Sequence, residues 1–508
     1  MKFFNKLFHL EERQASIKNE IIGGLVTFIA MCYILPINSM ILSSTGMSAV
    51  GVFIATAILS FIVTMIMGLV ANYPIMLSAG MGINTYVAYT LSESFGSWQA
   101  RMILMTIVGL CYFTLSLTPI RKKIIEVFPK NLKCIISAAL GAFILFVGLK
   151  GSGIIVSRSS TLVSLGNFAD PAMLIAVISI ILTIGLMFSS NKTIRTMAIP
   201  FGILFAAVAG LIASCIMKET GALAWATSTE SDVYAWRYQF GNLEGTITTL
   251  PTAPWYSENI AYNHVSWGIN FGELKNVLFF GSLVKDNGGK YVYTASQFGN
   301  DLIKVFTNPV SYVAIFSMIF VNIFDNAATL ITTGEKTGAI DENGKVKNYR
   351  KATLADATGA LICGPLGSST VTSFVESNVS ISVGAKTGMA ACITAIMFLL
   401  SSFIYPLFFV FTAGSVTASA LVCVGLLIVT TALTNMDLKD LPIAFTAVIA
   451  ILFAVLCYSI STGIGFGLIA YCTMMIVSGR RKEVGITIYI LAALFIVAFS
   501  AETIVNSI

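Results

Sequence analysis

Charge is scarce in this chain: of its 508 residues only 11% are Asp, Glu, Lys or Arg, against about 25% in a typical soluble domain. With 56% hydrophobic residues and a mean hydropathy of +0.86, polar side chains are too few to clothe a water-facing surface. A large soluble domain is therefore excluded, with one partial exception at 217–306. Histidine is nearly absent. His9 and His264 lie far apart and outside the apolar runs, so no zinc set and no nucleophile–base pair can be assembled. All nine cysteines sit in or beside apolar segments, which argues against a disulfide framework and offers no paired-Cys metal spacing. Gly334-Glu335-Lys336-Thr337 and Gly384-Ala385-Lys386-Thr387 each lack the glycine that precedes lysine in a phosphate loop. The opening MKFFNKLFHLEER has no long apolar core and no small-residue cleavage site, so it reads as a retained cytoplasmic lead-in. These absences leave no expectation of a cofactor, a metal, a nucleic-acid partner or an enzyme.

Long apolar runs are what the chain has. A bilayer span needs about 20 apolar residues, and backbone in lipid must satisfy its own hydrogen bonds, so such runs become helices. Spans are expected at about 21–42, 50–72, 76–92, 101–118, 133–154, 171–189 and 195–217, and again at 308–333, 353–365, 369–385, 387–412, 415–434, 442–460 and 461–479. A last run at 484–504 is either a further span or a helix lying against the bundle or the interface. The basic clusters at Lys2–Lys18, Arg121–Lys130, Lys192–Arg195, Lys336–Lys351 and Arg480–Lys482 then all fall on one side. By the positive-inside rule that side, with the N-terminus, is cytoplasmic, and the net charge of +6 belongs to these loops. The hydrophilic stretch 218–307 falls outside, and its four tryptophans favour a small folded cap.

The expected architecture is an all-α polytopic membrane protein of fourteen spans in a seven-plus-seven inverted repeat. The divisions are a lead-in 1–20, a first repeat 21–217, an insertion 218–307, a second repeat 308–479, and a C-terminal helix and tail 480–508. Seven spans per repeat is odd, so the second copy enters from the opposite face. The third segment of each repeat is short and broken by glycine, a pattern that marks the binding region of secondary transporters.

Three constellations could carry chemistry. In Pro74–Tyr86, Gly80 and Gly82 flank Met81 while Ser78 and Asn84 offer polar side chains. Glycines so placed let backbone approach a ligand, or simply let helices pack closely. In Gly364–Ser377 the glycines and Pro365 break a helix before a Ser/Thr cluster and Glu376. A carboxylate inside a span marks ligand or proton contact, although Ser373 to Glu376 also fits a capping box. In Asn322–Thr333, Asn322, Asp325, Asn326, Thr329 and Thr333 share one helical face, and Asp325 is a second candidate proton site. Glu93 and Asp356 are read as span-end carboxylates that reach water.

With those residues in view, the chain resembles the nucleobase/ascorbate transporter family, in its adenine/guanine/hypoxanthine permease branch. The resemblance rests on NEIIGGLVTFIAMCYILPIN (19–38), SAGMGINTYVAYT (78–90), FVNIFDNAATL (320–330) and GSSTVTSFVESNVSISVGAKTG (367–388). It includes the Met-x-Tyr of the first span. The resemblance implies a core domain of spans 1–4 and 8–11 and a gate domain of spans 5–7 and 12–14. It implies a purine base between spans three and ten, hydrogen-bonded by Glu376, with Asp325 linked to binding and proton coupling. Gly80, Gly82 and Asn84 would shape the facing wall, and backbone amides near Ser369 and Thr370 would complete the site. Ala79 and Asn322 depart from the branch, which usually has Pro and Asp there. The expected activity is proton-coupled uptake of adenine, guanine or hypoxanthine across the plasma (inner) membrane, and a homodimer is left open. The alternatives are a pyrimidine or small anion as substrate, and a membrane sensor using the 218–307 cap.

Overall fold

The computed structural model describes residues 2–92, 94–118, 121, 128–158, 161–191, 194–195, 197–219, 274, 277–278, 295–337, 348–408 and 414–507. The expected 218–307 cap lies almost wholly outside these residues, as does Glu93. Helices dominate. In the first part of the chain they are α1 (Lys2–Phe8), α2 (Ile17–Met31), α3 (Ile34–Ser43), α4 (Ala49–Ile66), α5 (Met81–Tyr89), α6 (Trp98–Leu117), α7 (Lys130–Gly151), α8 (Pro171–Met187) and α9 (Ala198–Glu219). After the insertion come α10 (Ala295–Thr307), α11 (Pro309–Thr337), α12 (Tyr349–Leu366), α13 (Asn378–Ser382), α14 (Gly388–Ser401) and α15 (Tyr405–Phe408). The last four are α16 (Gly414–Thr434), α17 (Leu441–Leu456), α18 (Ile460–Val477) and α19 (Ile486–Ser507).

Local chemistry sets many of these boundaries. Ser48, Ser97, Asp170, Thr387 and Ser459 each accept a backbone N–H of the first turn they precede, satisfying amides that a helix start leaves open. Proline follows Asp170 at the first helical position, where its missing N–H costs nothing. Glu20 reaches across from α2 to the start of α14, its carboxylate accepting from the amides of Lys386 (2.7 Å), Thr387 (3.1 Å) and Ala390 (3.1 Å). A fully buried carboxylate is thus held against the positive end of a helix.

Six of the described helices are long and apolar enough to cross a bilayer, or seven if α10 and the start of α11, bent by 77° at Asn308, count as one span. Five shorter apolar helices accompany them. Ile181, Phe188, Leu204, Phe445, Leu456 and Val497 are exposed along their flanks, a girdle suited to lipid.

Packing sorts the helices into two groups. In one, α2 and α4 lie against α14, and α12 lies against α4 and α6, with α11 beside α6. In the other, α16 packs along α7, α8 and α9, and α17 along α7 and α18. Helices in lipid gain little from burying apolar surface, so close van der Waals approach holds them together. At the α6–α12 crossing, a Cβ on Gly109 would lie 1.9 Å from the Ala360 carbonyl oxygen. The C-terminal α19 packs against α11 and α18, with Phe495 and Phe499 over Gly465.

The fold is not purely helical. β1 (Leu77–Ala79) pairs antiparallel with β4 (Val371–Ser373), in register Leu77–Ser373, Ser78–Thr372 and Ala79–Val371. A second pair, β2 (Ile155–Arg158) with β3 (Leu162–Leu165), forms a largely exposed hairpin after α7. Short strands survive inside the bundle because each supplies the other with backbone partners, and all six residues of the first pair are buried.

Candidate functional site

The two glycine-broken segments meet at that strand pair. The Gly80 amide donates to the Thr370 carbonyl (2.8 Å) and the Phe374 amide to that of Met76 (3.1 Å), lengthening the ribbon at both ends. The Met76 amide donates to Ser377 Oγ at 2.9 Å. On the outer edge of β1, Thr64 Oγ1 accepts from the Leu77 amide (3.0 Å) and donates to its carbonyl (2.9 Å). Ser60 and Ser78 share a hydrogen bond of 2.7 Å. Each strand leads into a helix start, Met81 on one side and the 3-10 turn Val375–Ser377 on the other.

Glycine is required here twice. Gly367 ends α12 in the left-handed region (φ +74°), and a Cβ there would lie 2.2 Å from the Val277 carbonyl oxygen. A Cβ on Gly80 would lie 2.7 Å from Thr372 Cγ2, across the ribbon. Gly82 instead faces α7, where a would-be Cβ would meet the flexible end of Leu140 at 2.5 Å.

Glu376 is half-buried, and its Oε1 accepts a hydrogen bond from the Tyr33 hydroxyl at 2.8 Å. The capping-box alternative is not formed: Ser373 belongs to β4, and its buried Oγ has no partner among the described residues. Asn322 Nδ2 donates to Thr370 Oγ1 (3.0 Å), and Thr329 Oγ1 donates to the Ser373 carbonyl (3.1 Å). Two residues of the polar face of α11 thus reach the second broken segment, at Thr370 and at Ser373 of β4. The side chains of Asp325 and Thr333 are outside the described residues. Asn322 Oδ1 and Ser369 Oγ are buried and, among the described residues, have no hydrogen-bond partner. Buried polar atoms are rarely left so, and three of them cluster on the elements that meet at the ribbon.

Asn84 is fully buried and donates to Asn38 Oδ1 at 2.8 Å. Asn38 Nδ2 in turn donates to Thr56 Oγ1 (2.7 Å) and Ser368 Oγ (3.2 Å). This chain of amides and hydroxyls ties α3, α4, α5 and the second break together. Sequence reasoning overlooked Asn38, Thr56 and Ser368, because single polar residues in apolar runs show no periodicity. It also overlooked Arg101, whose buried guanidinium donates to the carbonyls of Phe95 (2.9 Å) and Ala88 (3.1 Å), closing the far end of α5. Nearby, Thr90 Oγ1 donates to the Tyr458 carbonyl (2.8 Å), joining the end of α5 to the α17–α18 turn of the other helix group.

Asp356 corrects the sequence reading. It does not reach water: it is fully buried, accepts from Tyr112 (2.5 Å) and pairs with Arg121 at 3.5 Å. Arg121 also donates to Ser116 Oγ (3.0 Å) and the Thr353 carbonyl (3.1 Å), and lies over the Tyr112 ring. The Tyr112 hydroxyl is 3.4 Å from the Asn322 carbonyl, so this cluster adjoins the helix that touches the ribbon.

Apolar helices surrounding two broken, polar segments that pair in a buried ribbon are the build of a multi-pass membrane protein. The solved transmembrane domain of a cyanobacterium bicarbonate transporter, BicA, has the same fold, with a TM-score of 0.54 over 88% of this chain and 97% of that one at 14% identity. The chain belongs to the Permease family, which it matches over 18–257 and 291–466, the nucleobase/ascorbate transporters. It is 34% identical to the guanine/hypoxanthine permease PbuG of Bacillus subtilis, over 97% of this chain and 98% of that protein. It is 30% identical to the adenine permease AdeP of Escherichia coli, over 97% and 94% respectively.

Proposed function

We propose that the chain is a proton-coupled importer of a purine base, working by alternating access. The observation that carries this reading is the ribbon with Asn322 Oδ1, Ser369 Oγ and Ser373 Oγ, polar atoms without a hydrogen-bond partner among the described residues, beside the half-buried Glu376. A neutral planar base is recognised by directional hydrogen bonds, which such a donor and acceptor set supplies. Guanine/hypoxanthine and adenine permeases among the relatives support a purine over other ligands. Glu376 would accept from a ring N–H, Asn322, Ser369 and Thr370 would meet the remaining edge, and Gly80, Gly82 and Asn84 would keep the opposing wall close and rigid. Asp325 and Glu376 are the proposed proton carriers, since ionisable residues at such depth are costly unless they have a transport role.

In this reading the chain has fourteen spans in two inverted sevens, with the cytoplasmic N-terminus that the basic loops favour. The α2–α6 and α11–α14 group is the core, and the helices around α7 and α16 are the gate. A small anion, such as the substrate named for BicA, is disfavoured by a carboxylate at the ribbon. The test is uptake of radiolabelled guanine, hypoxanthine and adenine into cells lacking their own purine permeases, with and without a protonophore. Protonophore-sensitive accumulation supports the proposal. If the protein reaches the membrane and none of the three accumulates, the purine reading is lost.

A further inference from the structure

We infer that Tyr33 is the positioning residue of Glu376, fixing which carboxyl oxygen is free to meet the ligand. The inference rests on the reading of Glu376 as a ligand contact. The cause lies in the backbone of the first span. Pro36 has no N–H to give the Cys32 carbonyl, and its ring crowds that carbonyl, so the helical hydrogen-bond ladder is interrupted there. α2 stops at Met31, Cys32 and Tyr33 form a turn, and α3 begins at Ile34. The Leu35 amide reaches only to Cys32 (3.3 Å), a tighter turn than an α-helix makes. Tyr33 thus stands at a break in its own span, facing the break in another.

Its side chain is 3% exposed, so the ring is packed on all sides and the hydroxyl has little freedom. That hydroxyl has one proton to donate, and it goes to Glu376 Oε1 at 2.8 Å. While the carboxyl is ionised Oε1 is committed as an acceptor, and in this inference Oε2 is the oxygen that meets the ligand or a transported proton. A carboxyl tethered at one oxygen is biased toward one orientation, and a hydrogen bond to a base edge depends on that orientation. The Met-x-Tyr of the first span thereby acquires a role that neither its spacing nor its hydrophobicity conveys.

The experiment uses full-length protein in lipid nanodiscs and Tyr33→Phe, which keeps the ring and removes the hydroxyl. Infrared difference spectra identify the Glu376 carboxyl band as the one lost in Glu376→Gln. Tritiated guanine binding and thermal unfolding are measured on the same samples. The expected result is a shifted Glu376 band, guanine affinity lowered about 10- to 100-fold, and an unfolding temperature close to wild type. An unmoved band, or unchanged affinity, overturns the inference. So does an affinity loss without a band shift, which makes the tyrosine a packing residue only. A band that shifts in a protein unable to bind any purine supports the contact and discards the substrate reading, so the two failures are separable.

Discussion

Replacing Arg121 with methionine isolates the energetics of the buried Arg121–Asp356 pair. The two side chains are 3% and 0% exposed and 3.5 Å apart. Removing one member of such a pair leaves an uncompensated buried charge, at a cost of about 3–5 kcal/mol. Methionine preserves most of the arginine's length, so lost packing adds little. Tyr112 still donates to Asp356, which moves the expectation toward the lower end of that range. At about 2 °C per kcal/mol for a long chain, the unfolding midpoint in detergent should fall by roughly 6–10 °C. Asp356→Asn should cost a similar amount, because it strands the guanidinium instead. Combining the two removes both charges, so the double variant should recover much of the loss. Thermal unfolding of the four proteins at matched detergent and pH completes the cycle. Strictly additive losses, or an Arg121→Met midpoint within about 1 °C of wild type, would refute the claim that the pair is desolvated and coupled.

Other substitutions have equally definite outcomes. Gly109→Ala should leave little folded protein by size-exclusion profile, because the new Cβ would meet the Ala360 carbonyl oxygen at 1.9 Å, whereas Gly185, with nothing within 4 Å, should accept alanine with unchanged or higher stability. Glu376→Gln should lower guanine affinity at least about tenfold while the unfolding midpoint holds, and near-normal binding would remove Glu376 from the site. Under alternating access the Thr90–Tyr458 tie must break, so a cysteine pair placed there on a cysteine-free background should stop uptake when oxidised and release it on reduction; uptake unaffected by a formed disulfide would argue for a static pathway. In the loop after α18, Arg480 holds the Glu483 carboxyl below its ordinary range. That contact stabilises the loop above the usual carboxylate range and is lost as pH falls through the lowered value. Protection factors for the amides of 479–485, taken relative to the intrinsic exchange rate at each pH, should therefore fall in acid, and less so in Glu483→Gln.

Much of the architecture is legible because glycine and proline act locally. Gly80 and Gly367 stand where α5 begins and α12 ends, whereas Gly82, Gly364 and Pro365, expected to break helices, lie inside those two helices. The face of α11 is legible because its period is helical, and Asn322 and Thr329 do hydrogen-bond the second broken segment, at Thr370 and Ser373. The strand pair is not legible. Three-residue strands carry no periodicity, and their register depends on a partner in the other half of the chain. Asp356 is misread for a related reason: nothing beside it announces Arg121, 235 positions away. Tyr33 had a local signal in Pro36, but where a broken helix points its side chains is decided by the helices around it.

The ribbon also bears on how the protein is made. Met76 and Ser377, joined at its edge, are 301 residues apart in sequence. The first half therefore enters the membrane with β1 unpaired on the side β4 will occupy, and its backbone groups have no permanent partner until most of the chain has been synthesised. Thr64 covers one edge in the meantime. Contacts of such long range form late and slowly, and segments waiting for them are exposed to misassembly and to quality-control proteases. Truncated or stalled chains ending before residue 371 should be cleared rapidly from the cell, while the two halves supplied together as separate polypeptides have in the ribbon a means of finding each other.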